Sequence, residues 1–137
     1  MSQPEAIVYT DGGSRGNPGP AGIGVVVVKD GKTVLEVSEG LGVTTNNIAE
    51  YTALVTALEK CLELGFRQIE VRMDSELIVR QMTGQYRVKH EGLIPLFQKA
   101  KGLSNRFATF AIVHVRRELN KEADRLANQA MDQLKAK

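Results

Sequence analysis

The stretch YTDGGSRGNPGP, Tyr9 to Pro20, begins as a strand and ends as a turn. Ahead of Asp11 runs the apolar, β-branched segment Ala6-Ile7-Val8-Tyr9-Thr10; behind it come Gly12, Gly13, Ser14, Arg15 and then Gly-Asn-Pro-Gly-Pro. The first pattern reads as a buried strand and the second as a turn. Asp11 stands at the junction. A turn-forming Asp-Gly pair accounts for it locally, and a metal ligand at a strand end accounts for it chemically. The rest of the chain bears on the choice.

Outward from this stretch, Ala21 to Lys29 carries Val25-Val26-Val27-Val28 and reads as a second strand, too evenly apolar for exposure on either face. Asp30-Gly31 signals a tight hairpin, because both central residues of a type I′ turn need positive φ. Lys32 to Leu41 alternates as a third, antiparallel strand. Thr44-Thr45-Asn46-Asn47 caps a helix bearing Tyr51, Leu54, Val55, Leu58, Cys61 and Leu62 at helical spacing, with Gly65 as its stop. Ile69, Val71 and Met73 mark a fourth strand. Ser75 caps a short helix reaching about Met82, and Pro95 fits the first turn of another that carries Leu96, Phe97, Ala100 and Leu103. Phe107 to Val115 is a fifth strand. Asn120 caps a last helix whose inward stripe is Ala123, Leu126, Ala127, Ala130 and Leu134. The order βββαβααβα predicts an α/β fold: a five-stranded mixed sheet flanked by helices. The first and fourth strands should be adjacent and parallel, joined by a right-handed crossover.

The chain of 137 residues is expected to form one domain, residues 1–137. A single cysteine, Cys61, excludes an internal disulfide and a cysteine-based zinc site, and its place in an apolar helix suggests a buried thiol. With no apolar span or cationic leader, the expectation is a monomeric cytoplasmic protein that does not engage a membrane. The net charge of +2 is unevenly spread: Arg80 to Arg106 holds six Lys or Arg residues against Glu91 alone, leaving −3 for the remainder. Such a run is commonly a solvated face; the functional reading is a phosphate-facing patch that includes Arg87 and Lys89.

The acidic remainder has its own pattern. In the predicted sheet Asp11 and Asp74 sit near the carboxyl ends of neighbouring parallel strands, where open sheets place their chemistry. Glu50 fits a capping box that starts at Asn47, yet it also heads the stripe Leu54, Ala57, Cys61, which points it toward the sheet. Asp124 opens the last helix beside Ala127 and Ala130; the helix dipole alone would favour an acid there. Four acids that converge repel one another and raise one another's pKa, a conflict that divalent cations resolve. An all-oxygen set without His or Cys selects a hard ion such as Mg²⁺ or Mn²⁺. Two such ions about 3.5–4 Å apart would activate water and stabilise a leaving oxygen in phosphodiester hydrolysis.

YTDGGSRGNPGPAG, TTNNIAEYTAL, DSELIVRQ and NKEADRLA, in this order and spacing, resemble the successive motifs of type I ribonucleases H over nearly the whole chain. The resemblance implies the five-stranded ribonuclease H-like fold and endonucleolytic cleavage of RNA in RNA–DNA hybrids by a two-metal-ion mechanism, leaving 5′-phosphate and 3′-hydroxyl ends. The family's metal-binding acids match Asp11, Glu50, Asp74 and Asp124. Its RNA-facing loop matches Gly12, Gly13 and Ser14, with Asn17 in the following turn, and its hybrid contacts match Thr45, Asn46 and Asn47. Glycine lets backbone approach sugar closely, and the 2′-hydroxyl is what distinguishes RNA from DNA.

Four departures stand out. The loop RRELNK lacks the mobile histidine of many members, with Arg117 and Glu118 as stand-ins, while His114 belongs to the preceding strand and reads as a satisfied structural residue. GQYRVKHEGLIPL is too short for the full basic protrusion of longer members. Val43 replaces an arginine, and Glu76 a glutamine. The alternatives are a nuclease of broader specificity that also cuts double-stranded RNA, and a non-catalytic hybrid-binding module; a mere binder would not need four converging acids.

Overall fold

Strand pairing begins where the valines are densest. In the computed structural model, which describes residues 3–135, β1 (Ala6–Ser14) pairs antiparallel with β2 (Gly19–Lys29), and β2 with β3 (Lys32–Thr44). Asp30 and Gly31, both at positive φ, turn the β2–β3 hairpin. The crossover helix α1 (Asn46–Glu63) returns the chain so that β4 (Gln68–Met73) lies parallel to β1. There follow α2 (Glu76–Met82), α3 (Ile94–Ser104), β5 (Thr109–His114) parallel to β4, a 3₁₀ turn over Arg117–Leu119, and α4 (Lys121–Lys135). The sheet order is β3-β2-β1-β4-β5. The expected order and the parallel β1–β4 pair are both present, with the 3₁₀ turn as an addition.

Several strand boundaries differ, β2 among them, which opens at Gly19 and not at Ala21. β1 continues past Asp11, with Gly12, Gly13 and Ser14 opposite Ile23, Gly22 and Ala21. The glycines were read as turn, but β2 supplies a full ladder for them, so the turn is confined to the residues between the two strands. β3 likewise runs on to Thr44, with irregular register at Ala21/Gly22 and Val27/Val28. β5 is shorter than Phe107–Val115, because β4 offers partners only from Thr109 to His114.

The core lies between one face of the sheet and α1–α3, and is built from Val8, Val25, Val27, Tyr51, Leu54, Leu58, Ile69, Val71 and Met73. Full burial of each aliphatic side chain contributes about 1.5–3 kcal/mol before entropy is counted. Cys61 is free and fully buried, and burial pushes its thiol up to about 12, out of reach of nucleophilic use at neutral pH. Val26 is buried on the opposite face, as the even apolar run of β2 required. That face holds α4, and Gly24 is what admits it: a β-carbon there would lie 2.1 Å from the Ala123 carbonyl oxygen.

The capping role expected of the Asn120 side chain is not made. Its Nδ2 donates to the Thr10 carbonyl at 2.9 Å, and its Oδ1 has no hydrogen-bond partner among the described residues. The amide thus ties the start of α4 to β1, one residue before Asp11. No helix among the described residues is long and apolar enough to cross a membrane.

Candidate active site

The parallel β1–β4 ladder ends at Thr10 opposite Met73, so Asp11 and Asp74 are the first residues beyond it on neighbouring strands. Asp11 is therefore inside the antiparallel β1–β2 pair, opposite Gly24, yet at the end of the parallel one. Glu50 arrives from α1. Thr45 is the N-cap, its hydroxyl accepting from the Ile48 N–H at 3.3 Å, and the capping box from Asn47 does not form. Instead Glu50 Oε1 accepts from the Gly12 N–H at 3.0 Å. Leu54, Ala57 and Cys61 below it are fully buried, which holds that helical face on the sheet.

Gly12 corrects its expected role. A β-carbon there would meet the Ala49 carbonyl oxygen at 2.3 Å, and its N–H belongs to Glu50. This glycine makes room for α1 and anchors a carboxylate; its N–H is not free for a sugar. Gly13 has no such conflict, since its nearest neighbour to an added β-carbon is Asn46 Oδ1 at 3.4 Å.

Oxygens of Asp11, Glu50 and Asp74 lie within 4.8 Å of one another. Burial, and then the charges of Asp74 and Asp124, push Asp11 up to about 8. Burial with Asp11 and Asp74 nearby raises Glu50 well above the carboxylate range, and burial raises Asp74. Buried carboxylates at this spacing are held either by protons or by cations. The all-oxygen donor set and the shared opening fit divalent cations. Asp124 stands half-buried on the same opening, its carboxylate 4.0 Å from Arg117 Nη2.

The opening is a cavity of about 520 Å³ bordered by all four carboxylates and by Gly12, Gly13, Ser14, Asn46 and Arg117. Ser14 Oγ is enclosed and makes no hydrogen bond among the described residues. Asn17 lies just outside, where its Oδ1 accepts from the Asn46 N–H at 3.1 Å and steadies the entry to α1. Thr45 and Asn47 flank the cavity in sequence without bordering it. Arg87 and Lys89 are exposed on the connection between α2 and α3, also away from the cavity wall. Of the two stand-ins for the loop histidine, Arg117 reaches the site, whereas Glu118 is exposed, faces Arg116 at 3.8 Å and borders a separate hollow with Tyr9 and Val26.

His114 is not the satisfied strand residue expected of it. It is exposed at the last position of β5, opposite Met73, because β5 is an edge strand that ends there. It is near enough for its charge to oppose the upward shift of Asp74, but it does not border the cavity. His114→Ala should lower turnover at saturating Mg²⁺ and hybrid less than about tenfold, below the 10²–10⁴-fold typical of a positioned proton carrier. A loss as deep as that of Asp74→Asn, in a folded protein, would make His114 part of the chemistry. Sequence reading also missed Gly24 and Asn120 as site-forming residues. The signal for Gly24 was a glycine interrupting an apolar strand; Asn120 contacts a residue 110 positions away and left no local trace.

Three clustered carboxylates, with Asp124 on the same opening, at the strand ends of a five-stranded sheet ordered β3-β2-β1-β4-β5 define a site of the ribonuclease H-like class. Residues 9–130 match the family described as "Reverse transcriptase-like". RNase H1 from the archaeon Halobacterium salinarum superposes with a TM-score of 0.91 at 44% identity, over 93% of this chain and 98% of that one. LC11-RNase H1, isolated from compost and solved in complex with an RNA/DNA hybrid, gives 0.89 at 50% identity, over 94% and 98%. The bifunctional protein Rv2228c of Mycobacterium tuberculosis is 46% identical over 130 residues, 93% of this chain and 36% of that protein. The chain thus spans about a third of the length of that relative. It belongs to the type I ribonuclease H family.

Proposed function

We propose that this chain hydrolyses the RNA strand of RNA–DNA hybrids endonucleolytically, leaving 5′-phosphate and 3′-hydroxyl ends. The observation that carries the reading is the packing of three carboxylates within 4.8 Å, two of them buried, at the strand ends of this fold. Asp11, Glu50, Asp74 and Asp124 would hold two divalent ions, Mg²⁺ or Mn²⁺. Bound there, such ions supply a hydroxide nucleophile at neutral pH and neutralise charge on the leaving oxygen. The chain's own part is placement. Gly12 N–H orients Glu50, Gly13 and Asn46 border the cavity where the RNA backbone would enter, and Asn17 holds Asn46. Arg117 stands beside Asp124 and takes the place of the missing loop histidine, as a cation that assists departure of the cleaved phosphate. The chain is proposed to form one domain that acts as a monomer in the cytoplasm.

Labelled hybrid, duplex RNA and duplex DNA, each with Mg²⁺, Mn²⁺ or EDTA, test the reading. Cleavage of hybrid alone, abolished by EDTA, is expected. Equal cutting of duplex RNA would favour the broader nuclease, and binding without cleavage under either metal would favour a non-catalytic module.

Arg87 and Lys89 are proposed to meet phosphates beyond the cavity. Replacing both with alanine should reduce the slope of log affinity against log salt by about 0.9 per lost contact, the value for duplex B-DNA. Identical slopes for the variant and wild type would leave these side chains as a solvated face.

A further inference from the structure

α4 brings Asp124 to the cavity, and the Asn120 amide ties the start of the helix to β1 four residues before that carboxylate. The helix rests on Gly22 and Gly24 through Ala123, Ala127 and Ala130. The alanines make shallow ridges, so the larger Leu126 and Met131 beside them carry most of what ridges seated in grooves contribute to register. Polar groups on the two flanks of the helix add further ties. On one flank Ser38 Oγ donates to the Leu126 carbonyl at 2.7 Å, and Arg125 meets Glu36 at 3.4 Å. On the other flank Arg15 reaches across from the end of β1. Its backbone N–H is tied to the Pro20 carbonyl at 2.8 Å, and its guanidinium pairs with Asp132 and donates to Asn128 Oδ1 at 3.3 Å and to the Asn128 carbonyl at 3.4 Å. The Asn128 amide in turn donates to the Asp124 carbonyl at 3.0 Å. Arg15, Asn128 and Asp124 all border the same cavity.

We infer that Arg15 is a positioning residue for the fourth carboxylate: through Asn128 it sets where Asp124 stands, and thereby tunes divalent-cation affinity at the site. The inference rests on the reading of Asp124 as a metal ligand. Two features separate it from a phosphate-binding role. The guanidinium is already committed to three acceptors on α4, which leaves less of it for substrate. Its ion pair is with Asp132 and not with the clustered acids, so it does not neutralise the charge that a cation would meet.

The test is calorimetric binding of Mn²⁺ alone to wild type, Arg15→Ala, Asn128→Ala, the double variant and Asp124→Asn, with hybrid KM measured at saturating metal. Arg15→Ala should weaken Mn²⁺ binding about threefold to tenfold, below the 10–100-fold typical when a direct partner of a ligand is removed. Hybrid KM should stay within about twofold. Asn128→Ala should weaken Mn²⁺ similarly, and the double variant should be no worse than the poorer single one, since both interrupt one chain of contacts. Additive losses would overturn the route through Asn128. Unchanged Mn²⁺ affinity in Arg15→Ala, whether or not KM rises and the salt slope falls, would overturn the clamp while Asp124→Asn still binds weakly. An Asp124→Asn protein that binds Mn²⁺ as wild type does would overturn the ligand assignment and the clamp with it.

Discussion

Asparagine at position 11 or 74 is expected to reduce hydrolysis of the hybrid below detection, a loss well above the roughly 100-fold ceiling seen when an outer partner of a metal ligand is removed. Asp11 is the acid on which the others converge: its oxygens lie within 4.8 Å of those of Glu50 and Asp74, and the charge of Asp124 acts on it as well. An amide keeps the size but loses the negative charge and one acceptor oxygen, so a divalent ion is held by fewer and weaker donors. Neither change touches the β1–β2 or β1–β4 ladder, and the variants should remain folded and retain hybrid binding. Single-turnover cleavage at saturating hybrid, with Mn²⁺ binding measured on the same sample, decides the matter. Near wild-type turnover with intact metal content in either variant would remove the proposed centre.

The same residue carries a stability signature that needs no substrate. In metal-free protein the carboxyl of Asp11 is raised from its ordinary 3.8 to about 8 by burial, with Asp74 and Asp124 adding to it. A carboxyl that holds its proton more tightly when folded contributes stability that is fully present below about pH 4 and lost as the pH rises toward 8. Melting temperature in chelator should therefore fall between pH 5 and pH 8, and fall less for Asp11→Asn. At pH 8 that variant should be the more stable by an amount on the order of 1–2 kcal/mol, about 3–8 °C. Divalent cation should raise the wild type, by binding the folded state alone, and leave the variant nearly unmoved. Equal melting curves across this range would mean that the acids do not crowd one another.

What the sequence disclosed divides by the range of the interactions concerned. Elements set by local pattern were legible: the Asp30-Gly31 hairpin, the Ser75 cap and the α1 stripe through Leu54 and Cys61 appear as read, and of the Thr44–Asn47 cluster it is Thr45 that caps α1. Asp11 and Asp74 were legible because parallel strands in a crossover unit end side by side, and topology supplied the rest. Glu50 was ambiguous, since the capping box and the inward stripe make opposite claims on one carboxylate. The tie came undone through Gly12, whose N–H lies 38 positions away in the chain. Non-local contacts of this kind set the remainder. Gly12 reads as a turn former until α1 lies upon it, and Asn120 reads as a cap until the Thr10 carbonyl is beside it. His114 was misjudged for a related reason: alternation assigns a residue to a face, but not to the exposed end of an edge strand.

Cleavage should require ribose in the cut strand, with several consecutive ribonucleotides preferred over one and base identity of little consequence. The groups at the mouth of the cavity support this. Gly13 is open to approach, Asn46 is exposed beside it, and Asn17 holds the α1 entry in place. With the Gly12 N–H committed to Glu50, recognition of 2′-hydroxyls would fall to the backbone of Gly13 and Ser14 and to the Asn46 side chain. Such contacts lie along the sugar–phosphate edge, which positions a duplex without reading its bases. A strand without 2′-hydroxyls would leave those groups unpaired and shift the scissile phosphate relative to the carboxylates, where small misplacements are costly because much of the rate comes from orientation. Enclosed sites that bond a substrate hydroxyl reject its absence by about 10⁴–10⁵, and an open groove of this kind should manage on the order of 10³. Hybrids with zero, one, two, four or more ribonucleotides embedded in DNA, assayed at saturating Mg²⁺, should give no cutting at zero and a rate that climbs to a plateau. Asn46→Ala should flatten that climb while leaving Mn²⁺ binding unchanged, because Asn46 borders the cavity without belonging to the carboxylate cluster. Equal cleavage of the all-DNA duplex would sink the reading of this groove, whereas a ribose-dependent rate that ignores Asn46 would assign the discrimination to the Gly13–Ser14 backbone alone.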